Sequence, residues 1–272
     1  MTSTKFLKFA LPTTLVPAAL ALLLPAQLKP RYAEFIQPAL LLANFVLALW
    51  VARMYRDDLR HAFLFLAGFL FFYSLVIIEP VIAAAQRSLG ENFLTALVVY
   101  QVITYAMLLI ACFNILKVIG VTKLDRHGWY VVAIALVFGA AIVAYFIPTF
   151  RDSVAVDRLA GVLFLLIRIF DVLVMVMLVP VLWLYAQNQR QKYQESASFT
   201  TVVIGIVASL ILVYVYELIR QTPLIELAQV EFRKGSLLDG LYIFGYLVIA
   251  VGLFAHRKHQ EWSFKAIDNI LV

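Results

Sequence analysis

The sequence predicts an all-α fold, a polytopic integral membrane bundle of eight transmembrane helices. Apolar runs of about 20 residues recur from end to end, the length a helix needs to cross a hydrocarbon core. Of the 272 residues, 64% are hydrophobic and only 14% charged, against about 45–50% and about 25% in a soluble domain. A mean hydropathy of +0.94 excludes both an ordinary water-soluble globule and a disordered chain.

The eight spans run near Phe9–Leu28, Ala33–Met54, Ala62–Ala85, Phe93–Leu116, Trp129–Phe150, Leu159–Ala186, Phe199–Ile219 and Leu237–Ala255. No connection is long enough for a separate soluble domain, so residues 1–272 are expected to form a single transmembrane domain. The first span follows Lys5 and Lys8 and carries Pro12, Pro17 and Pro25, a layout shared with signal peptides. Leu24-Pro25-Ala26 supplies only one of the two small residues that cleavage needs, so a retained helix is expected; cleavage would leave seven. Residues 221–236 open on Thr222-Pro223, an N-cap followed by proline at the first helical position. Leu224, Leu227 and Ala228 then share a face, which suggests a short helix on the outer surface. Residues 257–272 form an amphipathic tail, with Trp262, Ala266 and Ile270 on one stripe.

Lys and Arg set the expected orientation. The two termini and the loops after spans two, four and six, with Arg53 at the end of span two, carry 13 of them, and the other four loops carry 8. The positive-inside bias therefore places both termini in the cytoplasm of a multi-pass cell-membrane protein. The net charge of +6 resides in these loops, where it meets lipid headgroups; a nucleic-acid partner is not expected. Cys112 is the single cysteine, so no intrachain disulfide and no thiolate metal cluster can form.

Ionisable residues inside a span cost roughly 2.5–3.5 kcal/mol each at a helix centre and turn toward a bundle interior or a wet cavity. Arg168 and Asp171, three residues apart, share one helix face and read either as an internal ion pair or as a ligand or proton site. Glu79 precedes Pro80, whose missing N–H leaves a carbonyl free one turn earlier; the kink serves either binding or packing. Asp239, Tyr242 and Tyr246 form one stripe. Tyr214 lies one turn from Glu217, and Tyr100, Gln101, Thr104 and Tyr105 occupy the outward half of the fourth span. These groups share an outward depth with Arg168 and Asp171 below them. They converge on one ligand cavity or, alternatively, belong to an aromatic interface belt and separate internal pairs. Small residues at Ala135/Gly139, Ala140/Ala144, Gly205/Ser209 and Gly245/Gly252 suit close helix packing.

No catalytic arrangement is recognisable. All nine lysines lie in loops, tails or span ends, where none can form a buried Schiff base. His61, His127, His256 and His259 sit at edges, unsuited to bis-imidazole haem ligation. Neither HExxH nor GxSxG occurs, and Asp57-Asp58 alone makes a poor metal site. No enzyme activity, metal or cofactor is expected.

The run Leu238-Asp239-Gly240-Leu241-Tyr242-Ile243-Phe244-Gly245-Tyr246, continued by Ala250-Val251-Gly252-Leu253, resembles the closing helix of multi-span sensor regions. These regions precede histidine kinase or diguanylate cyclase domains in prokaryotic signalling proteins. Arg60-His61-Ala62-Phe63-Leu64-Phe65-Leu66 is a second point of likeness. The resemblance covers about 20 residues well and implies a sensor-like membrane domain. Output domains would follow the last span, whereas this sequence runs only to Val272, so the resemblance implies a stand-alone relative acting through a partner membrane or cytoplasmic protein. Two other readings stand beside it. One is an accessory subunit of a larger membrane complex contacting quinone, pigment or lipid; the other is a small transporter using Arg168, Asp171 and Glu79.

Overall fold

The computed structural model describes residues 3–119, 124–156, 158–189 and 237–268. Among these residues the regular structure is helical: α1 Ser3–Thr13, α2 Leu15–Leu23, α3 Lys29–Ala52, α4 Asp58–Ile77, α5 Glu79–Leu89, α6 Phe93–Ile119, α7 Arg126–Tyr145, α8 Ile147–Val156, α9 Arg158–Gln189 and α10 Leu237–Asp268. Six apolar helical stretches are long enough to cross a membrane. They correspond to the second through sixth and the eighth expected spans. The seventh, with Tyr214 and Glu217, and the outer segment 221–236 lie outside the described residues.

The expected first span is two shorter helices. Pro12 and Pro17 each lack an N–H, which leaves the Lys8 and Thr13 carbonyls without their helical donors. At the junction the hydroxyls of Thr13 and Thr14 bond back to the carbonyls of Ala10 and Leu11, at 2.7 and 2.6 Å. Proline likewise turns the kink expected in the third span into a break. The Pro80 ring would clash with the carbonyl one turn earlier, so α4 stops at Ile77 and Ile78 is extended. A new helix, α5, starts at Glu79. It ends at Gly90, whose φ of 55° suits a residue without Cβ, and a 3₁₀ turn over Gly90–Asn92 leads into α6.

The described chain divides into two compact units. In the first, α10 packs along α1, α2 and α3. The buried face of α3 is Ala33, Gln37, Leu41, Asn44, Ala48 and Val51, a spacing of three and four that keeps one stripe against its neighbour. A Cβ on Gly240 would lie 3.1 Å from the Ala18 carbonyl oxygen, so this glycine sets the approach of α2 to α10. Beyond the apolar span α10 continues unbroken to Asp268, and the first part of the amphipathic tail is thus an extension of the last membrane helix.

The second unit, Tyr55–Ala186, is built on α4 against α6. Ala62, Phe63, Leu66, Ala67, Leu70 and Ser74 form the buried stripe of α4. Asp125 caps α7 by accepting from the Gly128 N–H at 2.8 Å and also accepts from the Trp183 indole at 2.9 Å, which pins the start of α7 to α9. Further along, a Cβ on Gly139 would run into the Val172 side chain. Close contact of small residues is the means by which helices associate in lipid, where apolar surface alone gives no preference for protein over acyl chain.

Gly139→Ala should therefore destabilise the protein by about 1–3 kcal/mol through overpacking, measured as thermal unfolding in detergent. The double variant Gly139→Ala/Val172→Ala should recover most of the loss; equal melting of all three proteins would contradict this packing.

Candidate functional site

Hydrocarbon offers no hydrogen bonds, so each polar group within these helices must find its partners in the protein. In the second unit the main answer is the pair on α9. Arg168 is 6% exposed and Asp171 is fully buried, with Nη1 of the arginine 3.3 Å from Oδ2 of the aspartate. Tyr105 on α6 is buried close to Asp171 and Arg168, within reach of both charges. The guanidinium lies 5.5 Å from the ring centre of Phe146, the residue between α7 and α8, so its positive charge faces a π-cloud. Phe69 packs edge-on to Tyr105 at 6.0 Å. The result is a buried ionic centre where α6, α9 and the α7–α8 junction meet.

Tyr100 stands elsewhere on α6. Its hydroxyl donates to the Phe72 carbonyl at 2.8 Å, and the two rings meet edge-on at 5.8 Å. Thr104 bonds back to the Tyr100 carbonyl at 2.9 Å, while Gln101 is half-buried beside them. Glu79 is exposed in the first turn of α5, where the helix dipole favours an acid.

The break at Ile78 opens an apolar cavity of about 240 Å³ between the end of α4, α5 and the start of α6. Leu75 and Val76 form one wall. Val81, Ile82, Ala85 and Leu89 present one face of α5, and Ala96, Leu97 and Tyr100 close the other side. Tyr100 is the only polar side chain in the lining, and its hydroxyl is already engaged with Phe72. The chemistry on offer is dispersion and exclusion of water, suited to a hydrocarbon chain.

In the first unit, Asp239 at the start of α10 accepts from the Gln37 amide of α3 at 2.7 Å. Two turns along, the Asn44 amide donates to the Tyr246 carbonyl at 2.9 Å. Asn44 is fully buried, and its Oδ1 has no hydrogen-bond partner among the described residues. Tyr242 and Tyr246 stack at 6.2 Å. The stripe expected on α10 is thus half of a polar seam. Its other half, Gln37 and Asn44, escaped the sequence reading because neither residue is charged. Their seven-residue spacing on an apolar span was the available signal. Among the described residues no three His, Cys, Asp or Glu side chains gather as metal ligands would.

Six apolar stretches, charges paired inside the protein and a greasy cavity at a helix break define a polytopic all-α membrane-spanning protein. No protein-family model, curated protein or solved structure matches the chain.

Arg168→Met or Asp171→Leu alone should cost about 3–5 kcal/mol, because each strands a buried charge. The combined Arg168→Met/Asp171→Leu variant should lie closer to the wild type. Unfolding in mixed micelles checks this; a double variant as unstable as the two losses added together would show that the pair is more than mutual compensation.

Proposed function

We propose that this protein is a non-catalytic, sensor-like membrane domain of eight spans. It takes up a single-chain or lipid-like amphiphile in the outward half of the Tyr55–Ala186 unit and passes the resulting change to a partner chain. The observation that carries the reading is the apolar cavity at the α4–α5 break, with Tyr100 in its wall. An acyl or isoprenoid tail inserted beside α5 would separate Val81, Ile82 and Ala85 from Leu97 and Tyr100, and so bear on the turn at Gly90. The Arg168–Asp171–Tyr105 centre then acts as the rigid base against which α6 moves. The likeness of Asp239–Leu253 to the closing helix of sensor regions supports the same reading, with α10 as the element that leads toward the cytoplasm.

Ala85→Phe and Ala96→Phe fill the cavity from opposite walls. In purified protein each should weaken binding of a fluorescent fatty acid at least tenfold while leaving the melting temperature within a few degrees. Unchanged binding in both would remove the cavity from the mechanism.

The orientation places the α5–α6 turn outside and the α3–α4 turn inside. After replacement of the buried Cys112 by serine, a cysteine at Glu91 should react with a membrane-impermeant maleimide in intact cells, and one at Asp57 should react only after lysis. The reverse pattern would invert the topology.

An accessory-subunit role has one observation in its favour. α7 buries only 17% of its apolar stretch, the smallest share among the six. Trp129, Ile134, Val137 and Phe138 are exposed on it, a face that would suit a partner helix as well as lipid. Recovery of a stoichiometric partner in mild detergent would favour that role.

A further inference from the structure

The depth of the cavity at the α4–α5 break sets it apart from the bilayer's own acyl chains. At the other end of α4, Asp58 pairs with Lys117 of α6, Oδ2 to Nζ at 2.9 Å, and the two side chains are 36% and 58% exposed. Charges so exposed sit at or beyond the edge of the hydrocarbon. From there α4 runs 20 residues to Ile77, about 30 Å at 1.5 Å per residue, which is the thickness of a hydrocarbon core. The break at Ile78 therefore falls at the opposite edge, and α5 with the start of α6 reaches into the headgroup layer. Gln86, Arg87, Ser88 and Glu91 are exposed there, in keeping with a polar surrounding. By the orientation expected from Lys and Arg counts, this is the outer side.

The lining gives the shape of the space. Its wall runs from Val81 to Leu89 on α5 and from Phe93 to Tyr100 on α6, about 12 and 10 Å long. From α4 come only Leu75 and Val76, which precede the break and close the inner end. The cavity is thus a trough directed toward the turn at Gly90. Its volume of about 240 Å³ over that length leaves a cross-section on the order of 20 Å², and because packed carbons sit roughly 4 Å apart, one hydrocarbon chain fits and two do not. An apolar cavity of about 150 Å³ takes up benzene, so in proportion this one holds about ten carbons. Bilayer phospholipids carry paired chains that lie below this depth, whereas a free chain of that length can arrive from water. We propose that the trough selects a free, single-chain amphiphile of about ten carbons from the outer aqueous side. Ala85 and Ala96, the small residues midway along its two walls, keep it open. This inference rests on the amphiphile reading above and adds to it the length and the source of the chain.

Displacement of the fluorescent fatty acid from the full-length protein in phosphatidylcholine nanodiscs tests this. The competitors are straight-chain acids from hexanoic to hexadecanoic, compared at equal free concentration in the buffer. For the wild type, affinity should rise about fourfold per carbon, the worth of one buried methylene, and level off near decanoic acid. Ala96→Leu adds three side-chain carbons and should lower the plateau by about as many. Ile82→Ala removes three and should raise it. Didecanoyl phosphatidylcholine added to the discs should leave the probe in place. Affinity that climbs unbroken to hexadecanoic acid, or a plateau that stays put in both variants, overturns the length limit and leaves the amphiphile reading standing. Equal displacement by the phospholipid overturns the aqueous source in the same way. A wild type that never binds the probe removes the amphiphile reading itself, and this inference with it.

Discussion

Hydrocarbon neither donates nor accepts hydrogen bonds, and that single property governs this protein. Backbone polarity is absorbed by helices, leaving a few side chains to find partners of their own. Asp171 meets Arg168, Asp239 meets Gln37, and threonine hydroxyls turn back onto carbonyls one turn away. The Asp239–Gln37 bond joins α10 to α3 at one register, while the Arg168–Asp171 pair and the threonine bonds settle polar groups within a helix. A lipid-embedded bundle has little apolar preference for one helix packing over another, so these polar contacts and the small-residue notches at Gly139 and Gly240 carry much of the specificity.

Proline supplies the second influence. Pro17 and Pro80 stand in the first turns of α2 and α5, where a missing donor costs nothing, whereas Pro12, Pro38 and Pro180 lie inside α1, α3 and α9. The consequence at Pro80 is chemical as well as geometric: because α5 leaves the line of α4, apolar walls part and a cavity appears beside Tyr100. Glu79, expected within a continuous span, instead stands in the first turn of α5, where the helix dipole favours an acid.

The sequence reading and the structure agree most closely on the long apolar runs and on the Arg168/Asp171 register, which follow from run length and from residue spacing on a helix. Spacing does not show which helix a face meets. Tyr105 was visible as a polar residue on the fourth span, yet its place beside Asp171 requires α6 and α9 to be neighbours. Phe146 reads as one more apolar residue until the α7–α8 junction brings its ring under a guanidinium. Gln37 and Asn44 gave a pattern without a charge and so passed unremarked. Trp50 lies some 200 residues of chain from Arg257 and Lys258, the cations over its ring, and nothing local connects it to them.

Composition and span length alone determine that this chain is helical and lives in a membrane, because the cost of exposing peptide groups or charges to acyl chains is a property of each residue and its near neighbours. Partnership is different in kind. The seam of α3 against α10, the ionic centre across α6 and α9, and the cavity beside α5 depend on contacts between segments far apart in the chain. Their energies exist only once those segments have met, and so only the tertiary structure decides them.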